Sequence, residues 1–444
     1  MSSLSRSLAE RCASRWHEGY TAGEADALKG IVRTAIIDTV ACILAGRDDP
    51  ATVKVLQWAT RDPAPSGPSR LLFGAHRAPA PQAALVNGVA GHALDYDDVG
   101  LAGHPSVVLV PALIAEHERT GLSGADLCEA YAKGYAVWGD LQRRMKCSMH
   151  ARGWHPTAIF GTLAVAAAIA SARRLNPTQT AHALGIAASL ASGVVANFGS
   201  MTKPLHIGRA AEAGMVAADF AELGMDASAD ALDGRAGLLA ALVGPQDVDL
   251  QSPPEADFES TLLRLRPGIK KYPVCYAAHR VADGVLDLRQ AHGLQIEDIA
   301  SVDATISATT AGVLRHHRPA SLTEARFSLE FVVATALVHG HLGLREVSEA
   351  AMVDPRVTAL MPRVHTHTTD TSCPLEPSFA LNDEVTVQLK DGRTLSSGPI
   401  RFARGHAELP LNDAQLREKL FACVPEQETA LAEQLLGWVD AALA

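Results

Sequence analysis

Two short echoes, His104-Pro105-Ser106 and His155-Pro156-Thr157, each set an imidazole immediately before a long apolar run. Proline is tolerated in the first turn of a helix because its missing N–H would have no partner there, so both echoes predict a histidine at a helix start. Such an end carries unpaired N–H groups and about half a positive charge. It attracts carboxylates and keeps a nearby imidazole neutral, hence usable as a base. Either echo alone is more often an ordinary turn, but the repetition suits a substrate with several carboxylates.

Three further clusters carry titratable groups. In His92-Ala93-Leu94-Asp95-Tyr96-Asp97-Asp98, a helix running from Pro79 to Tyr96 would put Asp95 and Asp98 on one face and turn Asp97 elsewhere. Carboxylates at a helix C-terminus oppose its dipole, and that cost points to a task such as orienting a histidine or moving a proton. In Gly199 to Arg209, Lys203, His206 and Arg209 lie in a glycine-bounded, otherwise apolar loop. Desolvation there would make the lysine a base, or its charge would hold a substrate carboxylate. Lys271, Tyr272 and His279 follow in Lys270 to Arg280, where the texture of the chain changes and pockets tend to form.

Long helices must position these groups. Apolar residues recur at three and four from about residue 4 to 262, giving helices such as Asp26 to Gly46, Ser106 to Thr120, Ser123 to Arg143, Thr157 to Arg174, Pro177 to Val194 and Ala210 to Leu223. After Arg266-Pro267-Gly268, Ile299 to Ser307 and Glu384 to Leu389 alternate as strands, the second closing in an Asp391-Gly392 turn. Helices lie between them at His279 to His292 and Leu329 to Val338. Asn412 starts a last helical stretch through Leu443. The fold class is therefore mainly α with an α+β part. Residues 1–262 plus 401–444 form a large helical domain, interrupted by a smaller α/β domain at 263–400.

Composition narrows the function. The 444 residues carry 39 Lys+Arg against 49 Asp+Glu, a formal net charge of −10, and aromatics make up 5%. A net-acidic chain without a basic run lacks the footprint of a nucleic-acid binder. The most apolar stretch, Gly161 to Ala172, is shorter than the roughly 18 to 20 residues that a membrane span needs, so no membrane partner is expected. Seven scattered cysteines without C-x-x-C spacing, and an N-terminus without an export-signal pattern, point to a reducing cytoplasm. Phosphate-binding glycine loops are absent from the sequence.

The runs HALDYDD at His92, HPS at His104, GWHPTAIFGTLAVAAA from Gly153, TKPLHIGRAAEAG from Thr202 and KKYPVCYAAH ending at His279 together resemble the MmgE/PrpD family. That family includes 2-methylcitrate dehydratase, cis-aconitate decarboxylase and iminodisuccinate epimerase. The resemblance covers essentially the whole chain. It implies a homodimer, a small polycarboxylate substrate, no cofactor and no metal, with an active site between the two domains. Carried over by residue, it implies catalytic roles for Asp95, His104, His155, Lys203 and His279, with His206, Lys271, Tyr272 and Arg209 binding substrate. In this reading His104 is the base or acid and Asp95 holds its tautomer, Lys203 and His155 clamp carboxylates, and His279 supplies the opposite proton.

The expected chemistry is a cofactor-independent lyase or isomerase that moves a proton alpha to a carboxylate. A 2-methylcitrate dehydratase-like hydro-lyase leads and an epimerase of iminodisuccinate-like dicarboxylates follows. The decarboxylase branch usually has Thr where this chain has Val99, and a longer loop than Val99 to Gly103. The dehydratase branch tends to a longer chain and to an acidic residue where Val274-Cys275 stand. Other classes are poorer fits. His339-Gly340-His341 and His365-Thr366-His367 have the spacing of metal ligands on a strand, as a metal-dependent hydrolase would need, but no carboxylate cluster accompanies them. A binding or scaffold module would not gather so many titratable groups.

Overall fold

Thr21 and Glu24 form a reciprocal capping box, and from it runs the helix Ala22–Ala45, starting a turn earlier than the apolar pattern indicates. In a computed structural model of the chain, residues 3–16, 18–61 and 67–443 are described. They divide into two compact units, Met1–Gly268 with Leu416–Ala444, and Ile269–Gln415. The protein is mainly helical with one small mixed sheet.

The larger unit is built around the helix Pro156–Ala172, every residue of which from Pro156 to Ala170 is buried. Around it lie Ala80–His92, Ser106–Thr120, Gly124–Arg143, Pro177–Leu190 and Thr202–Glu222. These helices approach closely because glycines stand at the crossings. A Cβ on Gly208 would come 2.2 Å from the Leu85 carbonyl oxygen, and one on Gly88 would come 3.0 Å from Gly208 Cα. A side chain at either position would push the Thr202–Glu222 helix off the Ala80–His92 helix. No helix among the described residues is long and apolar enough to cross a membrane.

Of the boundaries that differ from the sequence reading, two matter for the site. The Pro79 to Tyr96 helix stops at His92, and Asp95 turns into the left-handed region at φ 54°. Asp95 and Asp98 therefore do not share a helix face. The segment read as a loop from Gly199 to Arg209 is helical from Thr202, with Pro204 in the first turn, where its missing N–H costs nothing. The C-terminal stretch is also interrupted, as Asp413–Ala422 and then Thr429–Ala442.

In the smaller unit the strand order is Val364–Thr369, Ile299–Ser307, Glu384–Leu389, Thr394–Ser396. The first pair is parallel and the other two are antiparallel. Val302, Ala304 and Ile306 alternate inward from the second strand and pack with Val385 and Val387 beside the helices His279–His292 and Leu329–His339. The Val364–Thr369 strand escapes the alternation rule because only Val364 along it is buried, leaving a polar edge.

Candidate active site

The chain between the Ala80–His92 and Ser106–Thr120 helices is held under strain. Val99 pairs with Gly268, and Gly100 and Gly103 exchange backbone hydrogen bonds of 2.9 and 2.8 Å around Leu101 and Ala102. That two-residue turn puts both Leu101 (φ 50°) and Ala102 (φ 58°) in the left-handed region normally filled by Asn or Gly. With Asp95, three non-glycine residues within eight positions are strained, a pattern that concentrates at functional sites. Gly103 is obligatory, since a Cβ there would come 2.7 Å from Thr157 Oγ1 and 2.8 Å from the Trp138 ring.

This segment presents a buried polar cluster. His92 Nδ1 lies 2.9 and 3.0 Å from the two oxygens of Asp97, and His104 Nδ1 lies 2.8 Å from the Asp98 carbonyl and 3.1 Å from Asp97 Oδ2. The two rings meet edge to face at 4.6 Å. Asp97 is fully buried. Burial pushes its carboxyl upward, but His92 and His104 pull it below the ordinary carboxylate range. Burial pushes the His92 imidazole down to about 4, against the pull of Asp97. At neutral pH the pair is thus a carboxylate and a neutral imidazole donating Nδ1–H.

Asp98 has a different task. Its side chain accepts hydrogen bonds from Ser106 N, at 3.1 Å, and from Ser106 Oγ, so it caps the Ser106–Thr120 helix. Burial raises its pKa well above the usual value.

Asp95 meets the far side of the cluster. Its Oδ1 is 2.5 Å from Lys203 Nζ, in the first turn of the Thr202–Glu222 helix. An ammonium there opposes the helix dipole, so the nearby carboxylate offsets an otherwise unfavourable charge. Lys203 also faces the Phe198 ring at 5.2 Å. His206, one turn on, places Nδ1 3.3 Å from His155 Nδ1. His155 stands at the N-cap position of the Pro156–Ala172 helix, packs edge-on to Phe198 at 4.8 Å and lies 6.2 Å from His92. Burial, then the Lys203 charge, hold His155 well below its usual pKa, and the same two causes lower His206. Lys203 thus stands beside His155 and His206, whose imidazoles are kept neutral, while His104 is the more exposed ring.

Asp95, His104, His155, Lys203 and His206 are therefore gathered in one place, while the pairing differs from the reading above. Asp97, not Asp95, holds His104, because the helix ends at His92 and the following turn carries Asp97 back to both imidazoles. Asp95 is committed to Lys203. Arg209 is exposed and pairs with Glu212 along its own helix. His92 and Asp97 were missed as site residues. Their spacing of five fits a contact across a helix end, but only once the end is placed at His92.

Lys271, Tyr272 and His279 belong to the smaller unit. Tyr272 donates to Asp283 Oδ1 at 2.6 Å and faces His279 at 5.1 Å, Tyr276 flanks the same imidazole at 5.1 Å, and Lys271 Nζ stands 5.6 Å from the Tyr272 ring. His339 and His341 are separated by a left-handed Gly340, and His341 pairs with Glu346 at 2.8 Å. His365 and His367 are exposed on the edge strand, His367 with Asp303 at 2.8 Å.

Residues 13–251 match the MmgE/PrpD N-terminal domain and residues 272–436 match the MmgE/PrpD C-terminal domain. The chain belongs to the MmgE/PrpD family. It is 32% identical over 373 residues to a human cis-aconitate decarboxylase, covering 82% of this chain and 74% of that protein. The mouse cis-aconitate decarboxylase is 31% identical over 359 residues, 78% and 72% of the two chains. A cis-aconitate decarboxylase-like protein, oryM, from Aspergillus oryzae is 25% identical over 415 residues, 86% and 83%.

Proposed function

We propose that the protein is a cofactor-independent lyase acting at a carbon next to a carboxylate in a small tricarboxylate, and that cis-aconitate is its substrate. The observation that carries the reading is the Lys203–Asp95 pair beside His104, whose Nδ1 is anchored by Asp97 and the Asp98 carbonyl. Three relatives named for cis-aconitate decarboxylation, or for likeness to it, supply the substrate.

The chemistry needs a proton donor and a charge partner. As a carboxylate leaves as CO2, the electrons of its C–C bond form a new C=C, and the electrons of the old double bond take a proton at the carbon alpha to a second carboxylate. One proton is consumed and 2-methylenesuccinate is formed. In this scheme protonated His104 gives that proton and is recharged by solvent, with Asp97 stabilising the imidazolium. Lys203 stabilises the charge that develops on the neighbouring carboxylate. The low pKa values of His155 and His206 leave them as neutral hydrogen-bonding groups that a polyanion can recruit.

Dehydration of a 2-methylcitrate-like hydroxy acid is the second reading. Val99, without the hydroxyl usual in the decarboxylase branch, and the short Val99–Gly103 turn speak against decarboxylation, as Val274-Cys275 does against dehydration. Proton NMR in D2O with cis-aconitate, 2-methylcitrate, citrate and iminodisuccinate in separate tubes distinguishes them. New methylene signals from cis-aconitate, with one deuterium in the product, are expected. An olefinic product from 2-methylcitrate alone makes the protein a dehydratase, alpha-proton exchange in iminodisuccinate alone makes it an epimerase, and either outcome overturns the first reading.

A further inference from the structure

The same cluster has a second property that does not depend on which acid is turned over. We propose that His92, Asp95 and His104 form a latent site for a borderline divalent ion such as zinc(II), which binds by displacing the Lys203 ammonium from Asp95 and so blocks the centre.

Four observations converge on it. One ligand atom from each of the three residues can be chosen so that all lie within 4.8 Å of one another, the one such group of three or more among the described residues. Metal-ligating histidines as a rule donate their second ring N–H to a carboxylate or backbone carbonyl, which fixes ring and tautomer. Both rings here do so, His92 to Asp97 and His104 to the Asp98 carbonyl, and each is left with Nε2 as its ligating nitrogen. His92 Nε2 is buried and has no hydrogen-bond partner among the described residues, an orphaned acceptor that coordination would satisfy. Finally, Asp95 already holds a cation, the Lys203 ammonium at 2.5 Å, so a metal ion replaces one positive charge by another and adds two nitrogen ligands.

Two imidazoles, one carboxylate and an open fourth position form a ligand set suited to zinc or cobalt. The exposed His365 and His367 lie outside any three-ligand group among the described residues and define the competing surface site to be removed.

The test uses the metal-stripped full chain carrying His365→Ala and His367→Ala, titrated with cobalt(II) and followed by its visible d–d bands, and with zinc(II) by calorimetry. One ion per chain in a four-coordinate nitrogen and oxygen environment is expected. Affinity should fall at least about 100-fold in His92→Ala and in His104→Gln, and rise about tenfold in Lys203→Met, which removes the competing charge. Asp95→Asn, which keeps the side-chain shape, provides a ligand-loss variant should His92→Ala fail to fold, as judged by circular dichroism. Absence of four-coordinate bands and of zinc heat in both the background protein and Lys203→Met overturns the proposal, as does unchanged binding in His104→Gln and Asp95→Asn. None of these readouts uses turnover, so a wrong substrate and a wrong metal site give different results.

Discussion

The larger unit holds two lysine–aspartate pairs with the same 2.5 Å separation, Lys419–Asp38 and Lys203–Asp95, and their surroundings differ in every respect that matters. The Lys419 and Asp38 side chains are 3% and 0% exposed, and Lys419 also donates to the Tyr96 carbonyl at 2.7 Å while standing 3.9 Å from the Tyr96 ring. Burial works against its charge, yet Asp38 raises its pKa above the usual lysine value. Lys419 thus ties the C-terminal helix Asp413–Ala422 to the segment after His92, and its charge is locked. Lys203 and Asp95 are 11% and 10% exposed, one against a helix dipole and the other on strained backbone, with neutral imidazoles around them. The first pair is buried away from solvent and structural. The second is less completely buried and set on strained backbone, and in the function proposed above it is the pair that meets a substrate carboxylate.

Removing one partner tests that contrast most strongly at Lys419. Lys419→Met should lower stability by about 3–5 kcal/mol in urea denaturation, because Asp38 is left buried and uncompensated. A loss below about 1 kcal/mol would mean that the pair is not structural glue.

Acid should act next, through the imidazoles of the functional cluster. The His92 pKa is about 4 when folded against the ordinary 6.5, so the unfolded chain binds the proton more readily between those values. His92 therefore contributes stability that is complete above about pH 6.5 and is lost as pH falls toward 4, a change of about 3 kcal/mol. His92→Gln should flatten that part of the urea-midpoint profile, and an unchanged acid limb in this variant would contradict the assignment.

At Lys203 the effect moves from stability to activity. Lys203→Ala should cost at least about 100-fold in kcat/KM, the usual size of one electrostatic contribution, with a smaller loss of stability than Lys419→Met because this pair is less completely buried. Near-normal turnover would reverse the comparison between the pairs. The smallest expected effect is at the turn. Ala102→Gly should stabilise the protein by about 1 kcal/mol by relieving a left-handed alanine, and a destabilised variant in thermal melts would show that the turn is not strained.

Much of this arrangement was legible in the sequence, residue by residue rather than pair by pair. The echoes at His104 and His155 announced helix starts because proline in a first turn is a local rule, and the change of texture near residue 266 separated helical from mixed segments. The pairing of Asp95 with Lys203 joins residues 108 positions apart and depends on how closely the helices carrying Gly88 and Gly208 cross. Periodicity does not report that distance. Asp97 was passed over because helical spacing was extended through Tyr96, where the strained Asp95 in fact redirects the chain. His92 was visible in the same run but was given no role, since a helix continued to Tyr96 leaves it in mid-helix. Its role follows only from burial and from the Asp97 carboxylate at Nδ1.

We propose that the Lys203 and His104 side of the larger unit carries proton transfer coupled to bond cleavage in a tricarboxylate. The most direct measurement follows cis-aconitate in D2O by proton NMR with the unaltered protein, His104→Ala and Lys203→Ala in parallel, each verified as folded. Singly deuterated 2-methylenesuccinate forming with the unaltered protein, and at least about 100-fold more slowly with both variants, is the predicted result. Formation at comparable rates in all three samples would contradict it.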